Sequence, residues 1–327
     1  MGDASGPTAM LMPDVSSGNL FIHPSDFHHG SIDGHAAVDS FRQAFFTAQL
    51  DRTILDKTFS DKVTVDVVSE PASYEEGYVY DPTAPIPADA TDVVLVRHGE
   101  TFWNHDHRLQ GQLDTELNAA GLAQAQAVRF VAAADASRSF QTFYVAARFA
   151  TWEFPFCAIY ASDLRRAADT AQAIADRAGF PGIVKDVGLR ERHIGHLQGC
   201  LAHEAPFKQP EALKAFQSSD PTVTIPGGGE SMAQLVERTS KTVEKIARRH
   251  RGKRVVVVCH GAVMMALHRH ALRHDSSMGV INASINVVRL SDDHTWRVLH
   301  WGDVKHLDGV EFDHDGFGGG KDSARDL

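Results

Sequence analysis

Val93-Val94-Leu95-Val96-Arg97-His98-Gly99-Glu100-Thr101 is the stretch from which the fold is read. An apolar, β-branched run over residues 93–96 predicts a strand, and the abrupt change to Arg-His-Gly marks the chain leaving its carboxyl end. The same grammar recurs twice downstream. Residues 158–161 form a second strand-like run, followed by a helical period over 165–178. Residues 255–259 form a third, unbroken and apolar as expected of a strand covered on both faces, before His260-Gly261. Further helical periods cover residues 119–134 and 231–249. Strands alternating with helices predict an α/β fold: a three-layer α/β/α sandwich around a mostly parallel sheet. In such folds ligands bind beyond the carboxyl ends of the strands.

What stands at those ends is chemically consistent. Arg97, His98 and Gly99 leave the first strand, Arg165 follows the second, and His260 and Gly261 leave the third. A phosphoryl group in transfer carries negative charge on its equatorial oxygens, so catalysis is mostly positioning and charge stabilisation. Arg97 and Arg165 offer guanidinium forks that match phosphate oxygens. A neutral imidazole is a competent nucleophile near pH 7, and a second one can donate to the oxygens. The small Gly99 and Gly261 are expected to let backbone and oxygen approach closely. A leaving alkoxide also needs a proton. The strand ends offer no acid for this, but the Gly-punctuated loop of residues 189–199 contains Glu191. From the residues alone, Glu191 reads equally well as a proton donor or as a surface partner of Arg190 or Arg192.

Composition bounds the alternatives. The chain has 327 residues, 43% hydrophobic, enough for one large core or a core domain with an appendage. A net charge of -10 and a pI near 6.0 argue against a nucleic-acid partner. No apolar run approaches the ~20 residues needed to span a bilayer, and the first residues do not read as a targeting segment. The three cysteines, Cys157, Cys200 and Cys259, lack metal or redox spacing and suit a reducing cytoplasm.

Residues 1–90 read as an N-terminal extension with a Pro-rich strap from about residue 70. Its histidines His23, His28, His29 and His35 match no ligand pattern and read as polar loop. Val38, Phe41, Phe45 and Leu50 recur at helical steps and predict a helix docked on the main domain. Residues 91–307 form the main domain, and 308–327, rich in Gly and Asp, read as a disordered tail. The aromatic-rich insertion at 137–153 is expected to pack on the core.

Leu95-Val96-Arg97-His98-Gly99-Glu100-Thr101 resembles the phosphohistidine signature of the histidine phosphatase superfamily, in its phosphoglycerate mutase-like branch. Several further motifs follow in the family's order: Trp103-Asn104, Arg108-Leu109-Gln110-Gly111, Asp114, the Ser-Asp-Leu-x-Arg-Ala-x-x-Thr segment within residues 160–170, the loop 189–199, Gly229-Glu230-Ser231 and Val258-Cys259-His260-Gly261. Together they span roughly two-thirds of the chain. The resemblance implies that His98 is the phosphorylated nucleophile and Glu191 the proton donor. It implies a phosphate pocket of Arg97, Asn104, Gln110, Gly111, Arg165, His260 and Gly261. It implies neither a cofactor nor a metal, and a small phosphorylated metabolite as substrate, such as a sugar phosphate or phosphoglycerate derivative. A homo-oligomer is left open.

The mutases of the family carry a Tyr three residues after the acid, a Lys eight further on and arginines in the next segment. This chain has Ile194 and Ala202 at those places and no arginine in residues 208–225, and Ala262 replaces the mutases' Asn. Hydrolysis is therefore expected over a 2,3-bisphosphoglycerate-dependent mutase, although the run from Glu191 to Gly199 is mutase-like. A non-catalytic binding module acting through the extension is the other alternative, and the complete set of core residues speaks against it.

Overall fold

The computed structural model describes residues 80–82, 84–128, 131–132, 155–273 and 280–310. The expectations for residues 1–79, the 137–153 insertion and the tail beyond 310 fall outside the described residues. In chain order the elements are β1 (Ala90–Arg97), the single-turn α1 (Phe102–His105) and α2 (Ala119–Ala127). There follow β2 (Val131–Ala132), β3 (Pro155–Phe156), β4 (Ile159–Ala161), α3 (Arg165–Ala178) and β5 (Val184–Lys185). The remainder comprises α4 (Ala205–Lys208), α5 (Pro210–Phe216), α6 (Met232–Arg248), β6 (Arg254–Cys259), α7 (Gly261–Leu272), β7 (Ile285–Ser291) and β8 (Trp296–Asp303).

The main sheet has the order β5-β4-β6-β1-β7-β8. Its first four strands are parallel, and β7 and β8 close the far side as an antiparallel hairpin. Alternate residues of β1 and β6 serve opposite layers, as the two-residue strand period requires. Val93, Leu95, Val255, Val257 and Cys259 meet α6 and α7. Val94, Val96, Val256 and Val258 meet α3 through Ala167, Ala171, Ile174 and Ala175. A smaller apolar cluster of Leu109, Ile194, Leu197, Ala202, Ala205, Leu213 and Ile225 forms among the loops that follow the strands.

Two boundaries differ from the sequence reading. The helix expected over 119–134 stops at Ala127 because Val128 turns extended (ψ 117°), and Val131–Ala132 is strand. The helix read over 231–249 begins after Ser231, whose hydroxyl accepts from Gln234 N at 3.2 Å while Gln234 Oε1 accepts from Ser231 N.

Register positions the site. Arg97 pairs with Cys259, so His98 and His260 leave neighbouring parallel strands at the same height. The loop after His98 is then pressed onto the start of α2. A Cβ on Gly99 would lie 2.4 Å from Gly121 O, and one on Gly121 would lie 1.9 Å from Glu100 O. Gly99 therefore serves helix packing rather than close approach of an oxygen. A Cβ on Gly261 would meet Arg97 Nε at 3.6 Å, an ordinary contact with the protein.

Gly121→Ala is expected to destabilise the chain by about 3 kcal/mol, the upper range for overpacking. Gly182→Ala, whose Cβ would meet nothing within 4 Å, should be nearly neutral. Urea denaturation of both variants checks this, and similar midpoints for the two would contradict the packing argument.

Candidate active site

His98 and His260 face one another with ring centroids 5.2 Å apart and planes at 58°. His98 Nδ1 lies 2.7 Å from Gly99 O. A carbonyl oxygen only accepts, so Nδ1 carries the hydrogen and Nε2 keeps its lone pair. Both rings are buried, at 2% and 0% exposure. Burial pushes both well below the usual histidine range, and the charges of Arg166 and Arg97 push further. The rings are thus neutral at pH 7. Both nitrogens of His260 are buried without a protein hydrogen-bond partner among the described residues. An unmade bond of this kind costs about 1–3 kcal/mol, so the ring is oriented at an energetic expense that a ligand oxygen would relieve.

The arginine positions require a correction. Arg165, expected in the phosphate pocket, has its side chain 53% exposed and points away, pairing with Glu116 and, at 3.4 Å, with Asp169. Arg166 is the buried one, with 0% exposure. Its Nη2 donates to Gly111 O at 2.7 Å and its Nη1 to Leu113 O at 3.0 Å. Its Nε has no protein acceptor among the described residues. Helix geometry explains the exchange. Arg166 shares the inner face of α3 with Ala167, Thr170 and Ile174, whereas Arg165 and Asp169 lie on the outer face. Thr170 completes that inner face, since its Oγ1 accepts from Gly99 N at 3.0 Å. The 3.6-residue period of residues 165–178 carried this information in the sequence, as did the place of Arg in the Ser-Asp-Leu-x-Arg segment.

Arg97 is buried at the end of β1 and donates through Nη1 to Val280 O. Burial pulls both Arg97 and Arg166 down to about 10, against the opposing charge of Glu191. Both remain cationic at neutral pH. Glu191 enters from its loop: Oε1 accepts from Arg192 N at 2.8 Å and Oε2 from Ala262 N, in the first turn of α7, at 3.3 Å. It pairs with neither the Arg190 nor the Arg192 side chain. Arg190 instead binds Asp163, and the Nε of Arg192 binds Glu230 O.

The remaining expected residues divide between lining and scaffolding. Gln110 precedes Gly111, and its Oε1 is buried without a partner among the described residues. Gly111 adopts φ +54°, a conformation that favours glycine, and its carbonyl holds Arg166. Asn104 is buried, and its Oδ1 accepts from Thr101 N and Oγ1, closing the cap of α1. Gly261 opens α7 directly after His260. Two polar residues that the sequence reading overlooked hold the loops. Gln112 Nε2 donates to Glu191 O at 2.9 Å, and Gln198 Oε1 accepts from Gln112 N at 2.7 Å.

A neutral nucleophilic nitrogen, two guanidinium cations, a second imidazole and a carboxyl group therefore share one buried site. This combination suits in-line transfer of a tetrahedral anion. A family model for the histidine phosphatase superfamily (branch 1) matches residues 93–304. A metal-independent phosphoserine phosphatase of Arabidopsis thaliana is 41% identical over 245 residues, covering 75% of this chain and 95% of that protein. A phosphoglycerate mutase-like protein 4, also from Arabidopsis thaliana, is 41% identical over 72% of this chain and 95% of its own length. Among solved structures, a mycobacterial glucosyl-3-phosphoglycerate phosphatase matches with a TM-score of 0.51 at 31% identity, covering 66% of this chain and all of that one.

Arg166→Ala should lower kcat/KM for p-nitrophenyl phosphate by roughly 100-fold or more, the usual loss on removing a donor to developing charge. Arg165→Ala should stay within roughly threefold, because its lost pair is solvent-exposed and weak. Losses of the reverse order would restore the original assignment.

The neutral imidazoles also give stability a pH dependence. Their folded pKa values are depressed, so below the unfolded value of about 6.5 the unfolded chain binds protons that the folded chain refuses. Stability is therefore full above that pH and declines as the pH falls towards the folded values. Each ring contributes a slope of about 1.4 kcal/mol per pH unit. Denaturation midpoints from pH 8 to 5 should decline less steeply in His98→Asn and His260→Asn than in the parent. Parallel curves would contradict the depressed values.

Proposed function

The chain belongs to the histidine phosphatase superfamily, and from that premise we propose that it hydrolyses small phosphomonoesters through a phosphohistidine formed on His98. The observation that carries this reading is the pairing of His98, its Nδ1 hydrogen committed to Gly99 O, with a second buried imidazole 5.2 Å away. His98 Nε2 attacks phosphorus, forming the P–N bond as the P–O bond to the leaving group breaks. Arg97, Arg166 and His260 take the charge that spreads over the equatorial oxygens, and Gln110 lines the same pocket. Glu191 delivers a proton to the departing alkoxide. In the second half, the Glu191 carboxylate takes a proton from water as the water attacks phosphorus, the P–N bond breaks and inorganic phosphate leaves. No step calls for a metal or cofactor.

Hydrolysis is favoured over phosphoryl exchange by the loop after Glu191. Ile194 and Ala202 are buried in the apolar cluster among the loops, so neither position offers a hydroxyl or cation to a carboxylate-bearing acceptor. O-phosphoserine and phosphorylated sugar acids are the first substrates to test. The relatives named for phosphoserine and glucosyl-3-phosphoglycerate, at 41% and 35% identity, support that order. The free thiols of Cys157, Cys200 and Cys259 suit a cytoplasmic setting. Among the described residues no helix is long and apolar enough to cross a membrane.

The test is a hydrolysis panel of these esters in excess chelator, with and without 2,3-bisphosphoglycerate, together with acid-labile labelling of the protein. The parent should release phosphate without the bisphosphate, and His98→Ala should lose both turnover and label. Normal labelling of His98→Ala would exclude His98 as the nucleophile.

A further inference from the structure

We infer that Arg238 and Glu230 are positioning residues that latch the loop carrying Glu191 and thereby set the proton donor in line with the leaving group. This inference rests on the reading of Glu191 as that donor.

Arg238 projects from the second turn of α6 with all five of its N–H groups engaged. Nε donates to Glu230 Oε1 at 2.8 Å and Nη2 to Glu230 Oε2 at 2.8 Å, a two-point ion pair. Nη1 donates to Gly188 O and Arg190 O, each at 2.9 Å, and Nη2 reaches Glu191 O at 3.4 Å. Glu230 secures the other side of the loop. Its Oε2 also accepts from His193 N at 2.9 Å, its backbone N donates to His193 O at 2.7 Å, and its carbonyl accepts from Arg192 Nε at 3.1 Å. The backbone on both sides of Glu191 is thus fixed to one ion pair whose side chains are only 24% and 20% exposed.

Several features mark this as more than a surface bridge. The stretch from Val187 to His193 holds only a short 3₁₀ turn at Val187–Leu189, closed by Arg190 N on Val187 O, so residues 191–193 have no regular helix or strand bonding of their own to aim the carboxyl. The bonds from Arg238 to the loop run to backbone carbonyls while its other two hold the Glu230 carboxylate, so the latch depends on the planar five-donor fork and on that one partner. Lysine offers three donors from a single point and cannot reproduce the pattern. The latch also commits every Arg238 donor, so Arg238 has none left for substrate.

The expected signature is selective. A displaced Glu191 should slow release of a poor leaving group far more than that of p-nitrophenolate, which departs with little protonation. The experiment measures kcat/KM, which reports steps through leaving-group release, for O-phosphoserine and p-nitrophenyl phosphate in the full chain. Arg238→Lys, Glu230→Gln and Glu191→Gln are compared alone, and the first two are also combined with Glu191→Gln. Arg238→Lys and Glu230→Gln should each lower the phosphoserine to p-nitrophenyl phosphate ratio by about 10-fold or more, within the range of general acid catalysis. Neither should lower that ratio further once Glu191→Gln is present. Equal losses on both substrates, or an additional ratio loss in the Glu191→Gln background, would overturn the latch. If Arg238→Lys folds poorly, Glu230→Gln, which keeps the side-chain shape, supplies the same comparison. An unchanged ratio in Glu191→Gln itself would overturn the donor assignment and the latch with it. A lowered ratio there with unchanged ratios in both latch variants would overturn the latch alone.

Discussion

The site depends on holding the buried Arg166 guanidinium on uncharged acceptors. The two ends of the sheet show the contrast. Near the beginning of β1, buried Asp92 forms ion pairs with Arg254 and Arg289, at 3.5 and 2.6 Å. There the buried charges compensate one another within the protein, and the group is structural. At the other end of the sheet, Arg166 is held by the carbonyls of Gly111 and Leu113, neither of which carries a charge. Such acceptors orient the fork without a carboxylate bonded to it, and the charges of Glu191 and Asp114 act on it only at longer range. Burying a cation this way costs several kcal/mol, and a phosphate dianion is the ligand whose binding recovers most of it. The neutral state of His98 follows first from its burial, and the same cations push it further by resisting a third positive charge beside them. One electrostatic arrangement therefore prepares both the binding of phosphate and the availability of the nucleophile.

Parallel pairing supplies the geometry at little further expense. The β1–β6 register brings His98 and His260 to one level, and His98 N donates to Cys259 O at 3.0 Å just beyond the last pair. Neither histidine depends on a flexible loop for its position. Glu191 is different in kind, since it comes from a loop rather than from a strand end. Such a loop needs its own restraint, which the contacts of Gln112, Ala262, Glu230 and Arg238 provide.

Much of this was legible in the sequence. Three of the four parallel strands, α3 and α6 announce themselves through unbroken apolar runs and helical periods, the two-residue β5 does not, and the strand-end rule locates His98 and His260. The β7–β8 hairpin was not read, because Ile285–Ser291 and Trp296–Asp303 lack the strand-then-helix alternation that marks the parallel strands. Arg165 was chosen over Arg166 because proximity to a strand end was weighed without the helical phase, although only one of two adjacent residues can face inward. Asn104, expected as a phosphate ligand, also closes a capping box through its Oδ1, a role that the Thr101-x-x-Asn104 spacing already suggests. The partners of Glu191 could not be read at all. Arg238 lies 47 positions from Glu191, and its bonds run to backbone carbonyls, which any residue supplies equally. Side-chain identity leaves no trace of such contacts.

This division also indicates where specificity can change. The phosphate-gripping groups sit on strand ends and the inner face of α3, where a substitution disturbs the shared core. Ile194 and Ala202 instead belong to the separate apolar cluster among the loops, with Leu109 and Leu213. That cluster stands apart from the two sheet-facing cores, so its residues can be exchanged without disturbing the β1–β6 register. A hydroxyl or cation introduced there would first have to leave the apolar cluster before it could reach a substrate. On the proposed mechanism, the choice between water and a second substrate as phosphoryl acceptor would rest on how these loops pack, and the first transfer on the groups held by the sheet.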